Sequence, residues 1–142
     1  MSNPLPVTVR TATSRDSLEV RRILDGAMLE IGDVDARIDA GDVFVATSAR
    51  EHPRESDAER VLGALVCEPR EHERGANVSA VAVRRRQRAR GVGTALVERA
   101  LEREGALTAR FDESVRPFYD SLGFSITRID DRRYEGERRR SA

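Results

Sequence analysis

Three strand-like runs follow one another with no helix between them, at residues 43–47, 61–67 and 76–83. This succession constrains the fold more than any other feature of the chain. A doubly wound parallel sheet needs a crossover helix between successive strands, whereas antiparallel neighbours need only a turn. The middle run, Val61-Leu62-Gly63-Ala64-Leu65-Val66-Cys67, is nearly continuous in apolar residues, as expected of a strand covered on both faces. The polar stretch 48–60, which contains Pro53, predicts an exposed hairpin loop, and 68–75 predicts a second polar connection.

On either side of this block the pattern alternates between the two periods. Residues 7–13 predict a first strand, with Val7 and Val9 on one face. Ser14 predicts a helix N-cap, and Val20, Ile23, Leu24, Ala27, Met28 and Ile31 recur at helical spacing, so the helix is expected to end near Gly32. Residues 34–40 predict a short helix closed by Gly41. A further helix starts at Val92, buries Val92, Leu96, Ala100 and Leu101, and stops where Gly105 fits its C′ position. Leu107, Ala109 and Phe111 alternate as in a strand, 115–122 predicts a short helix ended by Gly123, and 124–129 predicts the last strand. Beyond it, 130–142 is charged, and Tyr134 is the residue there that can extend the sheet. The expected order is β-α-α-β-β-β-α-β-α-β. The expected fold class is α+β, a mixed sheet with helices on its faces. A single domain is expected over 1–142, with its core at about 7–134 and frayed ends.

Composition narrows the function classes. The 142 residues are 39% hydrophobic and 35% charged, with 25 basic and 25 acidic residues and zero formal net charge. That profile suits a soluble globular protein with a heavily charged surface. All the basic residues are arginine, spread along the chain, which reads as compositional bias. No apolar run approaches the roughly 20 residues that span a bilayer, and 1–6 lacks the pattern of a signal peptide. No membrane association is expected and the cytoplasm is the expected compartment. Cys67 is the sole cysteine and ends an apolar run, so a buried hydrophobe is expected there rather than a nucleophile. His52 and His72 are isolated in polar connections, and no metal site is expected. Arginine triplets at 84–86 and 138–140 suggest nucleic acid, but zero net charge and only 4% aromatic residues argue against it.

Strand, basic glycine-containing loop, helix describes an anion site in physical terms. The first turn of a helix leaves amides unpaired and carries partial positive charge. Gly91 and Gly93 keep that approach free of side chains, and Arg88 and Arg90 add charge at the same end. A P-loop would end in Lys-Ser or Lys-Thr, and the chain has no lysine. A dinucleotide fingerprint would place a third glycine where Leu96 stands.

The spacing Arg88-Ala89-Arg90-Gly91-Val92-Gly93 resembles the Gln/Arg-x-x-Gly-x-Gly/Ala signature of the GNAT superfamily of N-acetyltransferases. Downstream, Phe118-Tyr119-Asp120-Ser121-Leu122-Gly123-Phe124 looks like that family's Phe-Tyr-x-x-x-Gly-Phe block. The small and β-branched strand Val78-Ser79-Ala80-Val81-Ala82-Val83 is similar to its fourth strand. The resemblance implies a GNAT-like fold, with a mostly antiparallel mixed sheet splayed at the cofactor site. It implies that residues 80–101 cradle the pyrophosphate of acetyl-coenzyme A through Arg88, Ala89, Arg90, Gly91, Val92, Gly93 and Thr94. Backbone groups of Val81 and Val83 are then expected at the thioester and pantetheine. Asp112 stands where the family often has an asparagine that touches the pantetheine arm. An ionised carboxylate cannot donate, so either the contact is altered or Asp112 has another role.

The implied reaction is direct attack of an amine on acetyl-coenzyme A, with no metal. The acceptor is a primary amine of a small molecule or of a protein. Tyr119 is the candidate general acid, protonated at neutral pH with an ordinary pKa of about 10; the competing reading is a packed aromatic whose hydroxyl is merely satisfied. Glu68 is the first candidate base, with Glu30, Asp112, Glu113 or water as rivals. One or two of Arg84, Arg85 and Arg86 are expected to meet the adenosine 3′-phosphate. The acidic residues Glu30, Asp33, Asp35 and Asp39 suggest either a cationic acceptor or a solvated face. A homodimer is compatible with the family. A non-catalytic acyl-coenzyme A binding module on the same fold is the alternative.

Overall fold

One seven-stranded sheet organises the chain, in the order β1-β2-β3-β4-β5-β7-β6. Its strands are β1 (Val7–Thr11), β2 (Val43–Ser48), β3 (Arg60–Pro69), β4 (Ala76–Val83), β5 (Ala106–Asp112), β6 (Ser125–Arg128) and β7 (Arg133–Arg139). The helices are α1 (Ser17–Gly26), α2 (Val34–Asp39), α3 (Val92–Glu104) and α4 (Arg116–Ser121). The computed structural model describes residues 7–29, 31–48, 60–71, 73–88 and 91–140. The neighbours β1 to β4 pair antiparallel, as do β5–β7 and β7–β6, while β4 and β5 run parallel. The mixed, mostly antiparallel sheet expected from three successive strands is therefore present.

The sheet separates two apolar layers. On one face α3 packs Leu96, Val97 and Ala100 against Phe44, Leu62, Leu65 and Leu107. On the other, Val20, Ile23 and Leu24 of α1 and Ile38 of α2 cover Val43, Val45, Ala64 and Val66. Strand β3 contributes to both layers, which is why its sequence is apolar at successive positions. Among the described residues no helix is long and apolar enough to cross a membrane.

The structure corrects three of the expected boundaries. Ser14 is not an N-cap: it opens a one-turn 3-10 helix, Ser14–Asp16, and the Thr13 amide donates to Asp16 Oδ2 at 2.8 Å. Helix α1 stops at Gly26 rather than near Gly32. The amide of Met28 donates to Asp25 O and that of Leu29 to Leu24 O, each at 3.0 Å, with Met28 left-handed at φ 59°. Met28 is consequently 91% exposed instead of belonging to the apolar stripe. The charged tail contains a full strand, β7, inserted between β5 and β6, so the strand at 124–129 is not the last. Of the expected loop at 48–60, Ser48 and Arg60 belong to strands, and 49–59, with His52, lies outside the described residues, as do Glu30 and His72.

Candidate functional site

The site begins with an irregularity in β4. Val66 pairs with Ala80 but Cys67 pairs with Val78, so Ser79 is an extra residue, a β-bulge. Before the bulge Ala76 and Val78 face the α3 layer; after it Ala80 and Ala82 face α1, while Val81 and Val83 pack towards α3. Pairing with β5 covers Ala76, Asn77 and Val78 against Leu107, Thr108 and Ala109, and stops there. Beyond that point the two parallel strands part. The Arg84 amide donates to Leu62 O at 2.8 Å, towards β3. Successive residues alternate sides in a ladder, so the amides of Val81 and Val83 aim the other way, into the gap beside β5.

The gap is a cleft of about 620 Å³. Its walls are β4 from Val78 to Val83, the end of β5 with Arg110 and Asp112, and the first turn of α3. Tyr119 and Phe118 close it from α4, and Ala27 and Leu29 from the chain after α1.

The α3 terminus is open. Its first intrahelical bond runs from Ala95 N to Gly91 O at 3.0 Å, leaving the amides of Val92, Gly93 and Thr94 without helical partners. No side chain caps it and its first turn holds no acid. Gly91 is left-handed at φ 81°, a conformation that suits glycine, and a Cβ there would meet nothing within 4 Å. Gly93 has a different reason from the one its motif suggests: a Cβ would stand 3.1 Å from Phe118 Cε1, so the residue lets α3 and α4 pack closely. Arg88 lines the cleft, and Ala89 and Arg90 lie outside the described residues.

Tyr119 belongs to an aromatic wall. Its ring stacks on Phe111 at 4.5 Å and meets Phe118 and Phe124 edge-on at 5.1 Å. The residue is only 6% exposed, and burial pushes its phenol up to about 12. Asp112, the only carboxylate among the described residues that line the cleft, accepts from the Ser114 hydroxyl at 2.5 Å and the Ser114 amide at 3.0 Å. The side-chain bond from Ser114 is the main reason its pKa lies below the usual carboxylate value. It is therefore ionised at neutral pH and a weak base.

Val81, Val83, Arg88, Gly91, Val92, Gly93, Thr94, Asp112 and Tyr119 thus all line one cleft. Glu68 does not: it pairs in register with Asn77, at the opposite end of β4, and forms an ion pair with Arg37 at 3.9 Å. Cys67 is buried in the sheet, with its thiol pushed up to about 12 by burial. Among the described residues no group of three or more His, Cys, Asp or Glu is arranged to hold a metal ion. Sequence reasoning missed Gln87, Arg110 and Val115 as lining residues, and none of the three carries a local sequence signal.

The profile of the acetyltransferase (GNAT) domain matches residues 39–126. No curated protein sequence matches the chain. Among solved structures, Ard1 from Thermoplasma volcanium superposes with a TM-score of 0.69 at 23% identity, over 94% of this chain and 97% of that one. A GNAT-family acetyltransferase from Bacillus cereus gives 0.71 at 16%, over 96% and 99%. N-acetylglutamate synthase from Neisseria gonorrhoeae, complexed with coenzyme A and L-arginine, gives 0.72 at 13%, over 94% of this chain and 33% of that one. At these identities the structural likeness speaks for the fold.

Proposed function

The chain belongs to the GNAT acetyltransferase family, and from that premise we propose that it is a single-domain N-acetyltransferase that moves an acetyl group from acetyl-coenzyme A to a primary amine. The observation that carries this reading is the parting of β4 and β5 directly beside an uncapped helix terminus. The N. gonorrhoeae neighbour was solved with coenzyme A, which supports an acyl-coenzyme A donor here.

Each part of the cleft suits one part of that donor. The amides of Val92, Gly93 and Thr94, with Arg88, suit a pyrophosphate, because free helix N–H groups and the dipole favour an anion. The inward amides of Val81 and Val83 suit the pantetheine arm and the thioester carbonyl, whose oxygen gains charge as the amine attacks. Asp112 accepts from an amide N–H of the arm where an asparagine could also donate. Bound acetyl-coenzyme A supplies a carbonyl carbon that a neutral amine can attack, forming a C–N bond as the C–S bond breaks. The nitrogen loses a proton and the sulfur ends with one, so atoms balance without a further reactant.

Magnitude decides what Tyr119 does. Its phenol at about 12 lies roughly 3.5 units above an ordinary thiol, so full transfer to a thiolate is uphill by about 5 kcal/mol. Tyr119 therefore serves as a fixed hydrogen-bond donor to the departing sulfur, and the amine's own proton completes the exchange. Glu68, on β3 opposite Asn77, does not line this cleft.

An acceptor screen with mass detection of acetylated product, run beside a thiol-release assay, tests the reading. Product with at least one amine is expected, and Tyr119→Phe should lower kcat about 10- to 100-fold with little change in acetyl-coenzyme A affinity. Tight donor binding without turnover on any amine, unaltered in Tyr119→Phe, would instead identify an acyl-coenzyme A binding module. The carboxylate at Asp112 is the observation that favours this second reading.

A further inference from the structure

A second cavity lies between the end of α1 and the start of α2 and measures about 870 Å³. Leu29 lines both this cavity and the cleft, so the two meet across that side chain. A turn puts Leu29 there: Met28 is left-handed at φ 59°, and the Leu29 amide donates back to Leu24 O at 3.0 Å. None of the residues lining the cavity belongs to 78–94, the strand and helix start that suit the donor. That helix start lies across the sheet, where Val92 packs in the α3 layer, whereas Leu24 and Val34 belong to the α1 layer. The cavity therefore adjoins the cleft on a side that the donor's phosphates leave free.

Its walls are aliphatic: Leu24, Leu29, Ile31 and Val34. Its charged residues are Arg21, Asp25 and Asp33. Arg21 is neutralised by Asp35 at 2.6 Å. Asp33 caps α2 by accepting the Ala36 amide at 3.0 Å, and that bond leaves its charge in place. Arg22, one turn before Asp25, pairs with Glu19 at 3.3 Å. Neither Asp25 nor Asp33 has an ion-pair partner among the described residues. The uncompensated charge of the cavity is therefore negative.

Asp25 also stands where a carboxylate is unfavourable. It sits in the last turn of α1, at the negative end of the dipole, and that turn holds no basic residue. Carboxylate and dipole together favour a cation there. Most of the acidic residues that suggested a cationic acceptor take no part in this: Asp35 is engaged by Arg21, Asp39 does not line the cavity, and Glu30 lies outside the described residues. Of that set only Asp33 contributes, and Asp25 was not among them.

Resting on the acetyltransferase reading, we propose that the acceptor is an aliphatic diamine: one amine reacts in the cleft, the chain crosses Leu29, and the second, protonated amine sits beside Asp25. The walls account for the chain, since methylenes gain by leaving water. The unpaired carboxylates and the helix end account for the distal ammonium. The reacting nitrogen attacks in its neutral form, making the C–N bond as the C–S bond breaks, and loses a proton as the sulfur gains one. The distal ammonium keeps its proton and takes no part in the bond changes. Asp25 is thus a residue that selects the acceptor rather than a catalytic one.

The test uses the full chain and three amine series of matched chain length, from butyl to octyl: diamines, monoalkylamines and ω-amino acids. Binding is read by calorimetry with coenzyme A present, and turnover by thiol release from acetyl-coenzyme A. Monoamine affinity should rise roughly three- to fourfold with each added methylene until the cavity is filled. Each longer diamine should bind about three- to tenfold more tightly than its monoamine at low salt, the margin shrinking as salt rises, and the ω-amino acids should fall below both. Asp25→Asn should remove most of that margin and Asp25→Asn/Asp33→Asn the rest, with monoamine binding unchanged, because asparagine still caps α2. Equal binding of diamines and monoamines by the wild type overturns the proposal, as does a margin that persists in the double variant. A diamine preference that disappears in the double variant, with no thiol release on any amine, would leave the cavity assignment standing and sink the transferase reading alone.

Discussion

The helical segments after β1 and after β4 each begin with amides that their own turns cannot satisfy. After β1 the chain solves the problem internally. Asp16 is buried and accepts from the Thr13 amide at 2.8 Å, from its hydroxyl at 3.3 Å, and from both Arg10 Nη atoms at 2.8 and 3.0 Å. Contact with the Arg10 guanidinium holds its carboxyl below the usual range, despite burial. After β4 there is no such device: α3 has neither a capping side chain nor an acid in its first turn, and Arg88 approaches where an acid would be favourable. One terminus carries its own anion; the other leaves its amides open and, under the proposed function, is where the donor's phosphates sit.

Substitutions at the two termini should have opposite signatures. The largest effect is expected from Gly91→Glu, which sets a carboxylate at the open end on a left-handed backbone. Affinity for acetyl-coenzyme A should fall by more than about 100-fold in calorimetry, with a stability loss of about 1–2 kcal/mol from the unfavourable φ. Asp16→Asn should do the reverse: about 1.5–3 kcal/mol of stability lost in denaturant unfolding, with donor affinity unchanged. Because Asp16 has a lowered folded pKa, its contribution is present above its ordinary value of 3.8 and disappears as pH falls through the folded value. The stability difference between wild type and Asp16→Asn should therefore close on acidification, and a constant difference would show that the carboxylate's charge is irrelevant. The smallest effect, within about 0.5 kcal/mol, is expected for Ser14→Ala, since Ser14 is exposed and Asp16 makes the bonds. A loss of a full cap's worth there would restore Ser14 as the N-cap.

How much was legible in the sequence differs between the same regions. The bounds of α3 could be read to the residue because Gly91 and Gly105, both left-handed, bracket an unbroken apolar stripe. That its start suits an anion follows from local chemistry alone. Helix α1 was overrun because Ala27, Met28 and Ile31 continue its period, although Gly26 and the left-handed Met28 end it. Strand β7 was hidden by its charges. Tyr134 and Gly136 face inward, but Arg133, Glu135 and Glu137 outnumber them in any local reading. The need for Gly136 emerges only once a Cβ is seen to meet Phe111 and Phe124 at 3.1 and 3.2 Å. The bulge at Ser79, which opens the cleft, has no local signature, because it depends on the register against β3. Glu68 looked attractive at the end of an apolar strand, and only the pairing with Asn77 reveals that it sits at the wrong end.

Thr94→Glu tests, without disturbing a glycine, whether the amides of α3 are kept for the donor's pyrophosphate. Thr94 occupies the first turn, is exposed, and lines the cleft. An acid there favours the helix dipole by about 0.3–1 kcal/mol but occupies the ground an anionic ligand needs. Thermal unfolding and acetyl-coenzyme A titration on the same sample should show Tm unchanged or raised and affinity reduced by about 100-fold. A stable Thr94→Glu protein that binds acetyl-coenzyme A as tightly as the wild type would contradict the claim.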